Sequence, residues 1–139
     1  MATHRRKVLK AFTALVEKAL PGATVKLNPK KAATLAPGGA ANVRPGTATA
    51  IGTVLNPYRK IWSHGLVLEL AAKARDGVSE DDALDEMVEA VEAAVRADRT
   101  LGGLVDFLDP EFPELEPIEV VGAEDAGWSG LTVTAEYVA

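Results

Sequence analysis

The chain is 139 residues long, carries a formal net charge of -5 and contains no cysteine. One domain, which typically runs to about 100–200 residues, accommodates that length; disulfides and thiolate metal sites are excluded, and the acidic balance disfavours a nucleic-acid-binding domain. No apolar run approaches the roughly 20 residues that span a bilayer, and Lys10, Glu17 and Lys18 interrupt the apolar stretch a signal peptide would need, so a soluble intracellular product is expected.

Val8, Ala11, Phe12, Leu15, Val16 and Ala19 recur at helical spacing and predict a first helix over about residues 3–20, capped by Thr3 and stopped by Pro21-Gly22. A short extended piece, Ala23 to Leu27, follows. Residues 28–46, "NPKKAATLAPGGAANVRPG", are rich in Pro, Gly and Ala and poor in large apolar groups, which predicts a flexible arm. Deleting residues 30–44 should then spare the fold. From Thr47 the pattern is β-rich, turns at Asn56-Pro57-Tyr58 and resumes as "RKIWSHGLVLELAA", predicting a hairpin over 47–73 whose second strand is central. Along it, Trp62, Leu66, Leu68 and Leu70 share one face, while Ile61, Ser63, Gly65, Val67 and Glu69 share the other.

A second helix starts at Ser79, with Glu80, Asp81 and Asp82 in its first turn, Arg96 and Arg99 at its far end, and Leu84, Met87, Val88, Val91 and Val95 as its buried stripe. The stretch Leu101-Gly102-Gly103-Leu104 predicts a left-handed glycine cap ending that helix, its leucines closing an apolar seam around the cap. Two strands are expected beyond it, Ile118 to Val121 and Leu131 to Val138. The fold class that results is α+β, a mostly antiparallel sheet with two amphipathic helices packed on one face, in a single domain over 1–139.

Candidate chemistry is sparse. His64 follows Ser63, but strand neighbours point to opposite faces, so the two do not make a nucleophile–base pair. With His4 in the basic N-terminal region, His64 reads as a partly buried, hydrogen-bonded sheet residue. Asp106, Asp109, Glu111, Glu114 and Glu116 cluster around prolines without the spacing of an EF-hand, as a solvated connector does. The glycines of "APGGAANVRPG" match no phosphate-binding fingerprint. No catalytic residue, cofactor or metal is assigned. Trp62 and Trp128 are large anchors; each suits core or sheet-edge packing, and Trp128, in a Gly-flanked turn, also suits a partner contact. Charge is segregated: His4, Arg5, Arg6, Lys7, Lys10, Lys26, Lys30 and Lys31 lie early, and acids crowd 76–92 and 106–125.

Taken together, the basic first helix, the Ala/Gly/Pro-rich segment, "IWSHGLVLELAA", "AVRADRTLGGLVDFLD" and the closing "LTVTAEYVA" resemble the tail terminator (tail completion) proteins of long-tailed bacteriophages and prophages. The likeness spans nearly the whole chain through short motifs in the right order. It implies an α+β subunit of a homo-oligomeric ring, a hexamer, that caps the tail tube, ends its growth and offers a surface to the head–tail connector. The expected partners are therefore further copies of the chain, the tail-tube protein and the connector, with no nucleic-acid specificity and no membrane. The expected location is the virion tail or neck, and the host cytoplasm during assembly. By position the resemblance places contacts at Lys30, Lys31, Arg44, Tyr58 and Arg59, alongside Trp128. Alternatives are another neck, head–tail joining or tail-tube protein, or, in a different class, a small-molecule-binding or enzymatic α+β domain.

Overall fold

A computed structural model describes residues 3–29, 38–75, 77–110 and 126–139, with the backbone alone at 126–128. In chain order the elements are α1 (His4–Ala19), β1 (Thr24–Leu27), β2 (Ala40–Arg44), β3 (Ala48–Leu55), β4 (Tyr58–Lys73), α2 (Glu80–Ala97), β5 (Phe107–Pro110) and β6 (Ala126–Val138). The fold is α+β: one mostly antiparallel six-stranded sheet in the order β1-β2-β4-β6-β5, with β3 also paired to β4, and both helices on one face.

Local chemistry sets the helices as expected. The Thr3 and Ser79 side chains accept from the backbone N–H groups of Arg6 and Asp82, satisfying donors that a helix start leaves free. Val8, Phe12 and Val16 of α1 and Leu84, Met87, Val88, Val91 and Val95 of α2 are buried against the sheet. On β4, Leu66, Leu68 and Leu70 turn toward the helices, and on β6 Leu131, Val133, Ala135 and Tyr137 do the same, matching the predicted period of two.

The end of α2 departs from expectation. The helix stops at Ala97 and its cap is Asp98, not glycine; the Asp98 N–H reaches the Ala94 and Val95 carbonyls. Leu101, Gly102 and Gly103 all have positive φ and form a separate turn beyond the helix, in which the Asp98 carboxylate accepts from the Gly102 N–H at 3.1 Å. Leu101 is buried and Leu104 packs against the core, so the apolar seam is present around a turn rather than around a cap. The chain then enters the sheet directly as β5, whose Pro110 lacks an N–H and sits on an edge strand, where that loss is tolerated. The strand expected over 118–121 lies outside the described residues.

The predicted arm is also corrected. Its residues 30–37 lie outside the described set, but Ala40–Arg44 is a strand buried between β1 and β4. Ala41 and Val43 stand opposite Leu70 and Leu68 on the helix-covered face. A segment without large apolar side chains becomes core here because both of its edges are paired and the close approach favours small residues. The length of the connection has a topological cause. β1 and β2 pair in parallel, and parallel neighbours need a crossover of a dozen or more residues; positions 28 to 39 supply twelve. Deleting 30–44 would remove a core strand, so the expectation that the fold survives it is withdrawn.

β2 and β3 lie end to end along one edge of β4, broken at Pro45-Gly46-Thr47. Thr47 keeps the ladder alive by accepting from Gly65 N–H at 3.0 Å. Gly46 has a φ of 60° and a Cβ there would fall 1.7 Å from the Gly65 carbonyl oxygen. Gly46→Ala is therefore expected to lower stability by about 3 kcal/mol or more. Gly130→Ala, where a Cβ meets nothing within 4 Å, should leave stability unchanged or raise it by up to about 1 kcal/mol. Urea midpoints of the two variants check the pair.

Candidate functional site

His64 sits at the middle of β4 and is 1 % exposed. Its Nε2 is hydrogen-bonded to the Pro45 carbonyl oxygen, which only accepts, so Nε2 carries the proton. Nδ1 is then the acceptor, and the Tyr137 hydroxyl donates to it at 2.9 Å. Ser63 stands opposite Glu136 and Thr49, whereas His64 stands opposite Ala135 and Ala48, so the two side chains point to opposite faces. Burial pushes the His64 imidazole below its ordinary value, and the nearby Arg5 guanidinium pushes the same way, against the raising effect of the Pro45 bond. Burial raises the Tyr137 hydroxyl. This is a neutral, fully partnered imidazole that locks the β2–β3 break onto β4 and β6.

His4 extends the cluster. Its Nε2 lies 2.7 Å from the Leu104 carbonyl oxygen and its ring centre 5.3 Å from that of Tyr137. The start of α1 is thereby tied to the Leu-Gly-Gly-Leu turn a hundred residues away, a contact for which the sequence carries no signal. A concavity of about 600 Å³ lies over His64, with Arg5 and Arg6 on its rim and Pro45 and Gly46 on its wall. Among the described residues no three His, Asp or Glu side chains gather as a metal site would require.

The residues expected at an interface do not form one patch. Arg44 ends β2 and is engaged within the chain: its Nε lies 2.8 Å from a Glu69 carboxylate oxygen, and Nη1 donates to the Pro29 carbonyl at 2.7 Å. It stands opposite Val67, nine residues along β4 from Tyr58, a separation of about 30 Å for extended chain. Tyr58 and Arg59 belong instead to the tip of the β3–β4 hairpin, where both are exposed. Trp128 stands opposite Ala71 in the β4–β6 ladder; its side chain, like Lys30, Lys31, Glu111, Glu114 and Glu116, lies outside the described residues. Trp62 is half-buried at the sheet end, its indole N–H donating to the Ala139 carbonyl at 3.3 Å.

No family model matches the chain, and no curated protein matches it.

The β3–β4 hairpin also exposes two large apolar residues, Leu55 at its tip and Ile51 at the bulge of β3 level with Ile61 and Trp62. Leu55 is 80 % exposed and Ile51 54 %, beside Tyr58 at 66 %. Large apolar residues on both flanks of the "NPY" turn were the available signal. Strand β6 ends at Val138, opposite Ile61. Lys60 still exchanges backbone hydrogen bonds with Ala139, so Tyr58 and Arg59 of β4 pair only with β3 and carry the tip past the body of the sheet.

The buried imidazole has a measurable consequence. Below its ordinary value of 6.5 the unfolded chain binds a proton at residue 64 that the folded chain refuses. Stability contributed by the neutral ring is thus complete above 6.5 and declines as pH falls from there toward the depressed folded value. His64→Gln should be less stable than the parent at neutral pH yet lose less between about pH 7.5 and about pH 5.5. Parallel losses in urea denaturation of the two proteins would remove His64 as the cause.

Proposed function

We propose that the chain is a structural ring subunit of the tail-terminator type, capping a tube of other subunits and presenting a joining surface to a head connector. The observation that carries this reading is the placement of exposed apolar side chains. Among the described residues, two of the four large exposed hydrophobics, Leu55 and Tyr58, face each other at the tip of one hairpin, a third, Ile51, lies at the bulge of its β3 strand, and the fourth is Phe107. Leu55 and Tyr58 stand side by side across the hairpin, and exposed apolar side chains gathered in that way occur at assembly sites.

Two further features support it. β3 pairs only with β4 among the described strands, leaving its outer edge open to a neighbour's backbone. Charge is unevenly spread: α1 opens with His4, Arg5, Arg6 and Lys7, while α2 exposes Asp81, Asp82, Asp85 and Glu89. A copy whose basic side faces another's acidic side builds a head-to-tail arrangement, and such arrangements close into rings when the rotation permits. The purified protein, alone or mixed with tail-tube protein, should form a single discrete ring of six copies, seen by native mass spectrometry and negative-stain microscopy. Monomer under both conditions sinks the reading, and open-ended stacks of the chain itself would make it a tube subunit.

A further inference from the structure

The loosest part of α1 lies beside the buried ring of His64. In the first turn of the helix Thr3, Arg5, Arg6 and Lys7 are exposed and His4 is half-buried; full burial begins at Val8 and Leu9. Polar contacts fix that turn. The Thr3 hydroxyl accepts from the Arg6 N–H at 3.2 Å, the Thr3 carbonyl accepts from the Lys7 N–H at 3.0 Å, and His4 Nε2 lies 2.7 Å from the Leu104 carbonyl oxygen. A terminal turn that buries few apolar groups opens at little cost.

Opening it brings water to His64. Thr3, Arg5 and Arg6 line the concavity over that ring, and Thr3, His4 and Arg5 line a second one of about 200 Å³ against Trp62 and Tyr137. The charges gathered here share one sign. Arg5 and Arg6 of α1 face the imidazole, His4 lies against Tyr137, and the Lys60 ammonium sits 5.8 Å from the Trp62 ring. From β6 comes the neutral Tyr137 hydroxyl, from the β2–β3 break the Pro45 carbonyl, and from β3 only Ala48. Among the described residues no Asp or Glu lines either concavity, and Ala139, the last residue, makes no ion pair.

A proton on His64 therefore meets no carboxylate side chain while the turn is closed. Burial disfavours the charged ring most, and the Arg5 guanidinium adds to it. Protonation also makes Nδ1 a donor, so the Tyr137 hydroxyl loses the lone pair to which it donates. With the turn open, water solvates the imidazolium and Arg5 is free to move off.

We propose that the first turn of α1 is a proton-operated latch, closed over neutral His64 and released from the sheet when that ring takes up a proton, while the core from Val8 onward stays folded. The latch is independent of the ring reading. Its coupling is reciprocal: whatever loosens the turn makes His64 easier to protonate.

The test is an NMR titration of the full chain. The His64 ring signal, told from that of His4, the only other histidine, by its loss in His64→Gln, should titrate with a midpoint below 6.5 while α2 and β6 remain folded. The Arg6 and Lys7 N–H signals should move with the same midpoint. Thr3→Ala removes the cap of α1 and favours opening about fivefold, so the His64 midpoint should rise by about 0.7 pH unit. Ser79→Ala removes the corresponding cap of α2 and should leave the midpoint unchanged. A ring that stays neutral until the whole chain unfolds overturns the proposal. So do Arg6 and Lys7 signals that ignore its titration, or a Thr3→Ala midpoint equal to that of the parent or matched by Ser79→Ala.

Discussion

Everything in this fold hangs on β4, a strand long enough to be paired by different partners along its two edges. Over 67–71 it pairs with β2 and over 58–64 with β3, while β6 runs along its other edge from 61 to 73. Its even-numbered residues from 64 to 72 are buried, and its odd-numbered ones from 61 to 69 are half-exposed. A slip of one residue would exchange those faces and place Glu69 and Ser63 under the helices. The leucines at 66, 68 and 70 therefore set the register of three neighbouring strands as well as their own.

That arrangement creates a problem at its centre, where β2 gives way to β3 and the ladder is interrupted. His64 and Gly46 resolve it from opposite sides. The imidazole bridges the Pro45 carbonyl and the Tyr137 hydroxyl, so the break leaves no orphaned polar group at the ring nitrogens. The glycine lets the backbone approach the Gly65 carbonyl more closely than any side chain would allow. A histidine inside a sheet invites a catalytic reading; here both of its nitrogens are committed to joining strands. His4 then draws the start of α1 onto the same cluster through Leu104 and Tyr137.

The consequence for function lies at the two ends of β4. Its C-terminal half is paired on both edges and covered by helices, so it is invested in stability. The first two residues of β4, Tyr58 and Arg59, have only β3 beside them and extend past β6, so their side chains meet solvent. Burial of one end holds the other in place and leaves an exposed tip that carries Leu55 and Tyr58. The acidic outer face of α2 gives the opposite side of the molecule a contrasting character.

Period and punctuation in the sequence sufficed for α1, α2, the 47–73 hairpin and the alternating face of the last strand, because those patterns act over a few neighbouring residues. The burial of Ala40–Arg44 was not legible: alanine and asparagine acquire a core position only when β1 and β4 flank them, and that pairing joins residues far apart in the chain. The same holds for the Asp98 cap, the Leu104 partner of His4 and the engagement of Arg44 by Glu69. For the candidate site, the sequence shows Tyr58 and Arg59 at a turn, yet not their separation from Arg44 along β4. Sequence alone determined which segments are helix or strand and which face of each is apolar, since local stereochemistry and side-chain period decide both. Only the tertiary structure decided which strands share an edge, which polar groups find partners and which apolar residues stay outside, because those outcomes depend on contacts between distant parts of the chain.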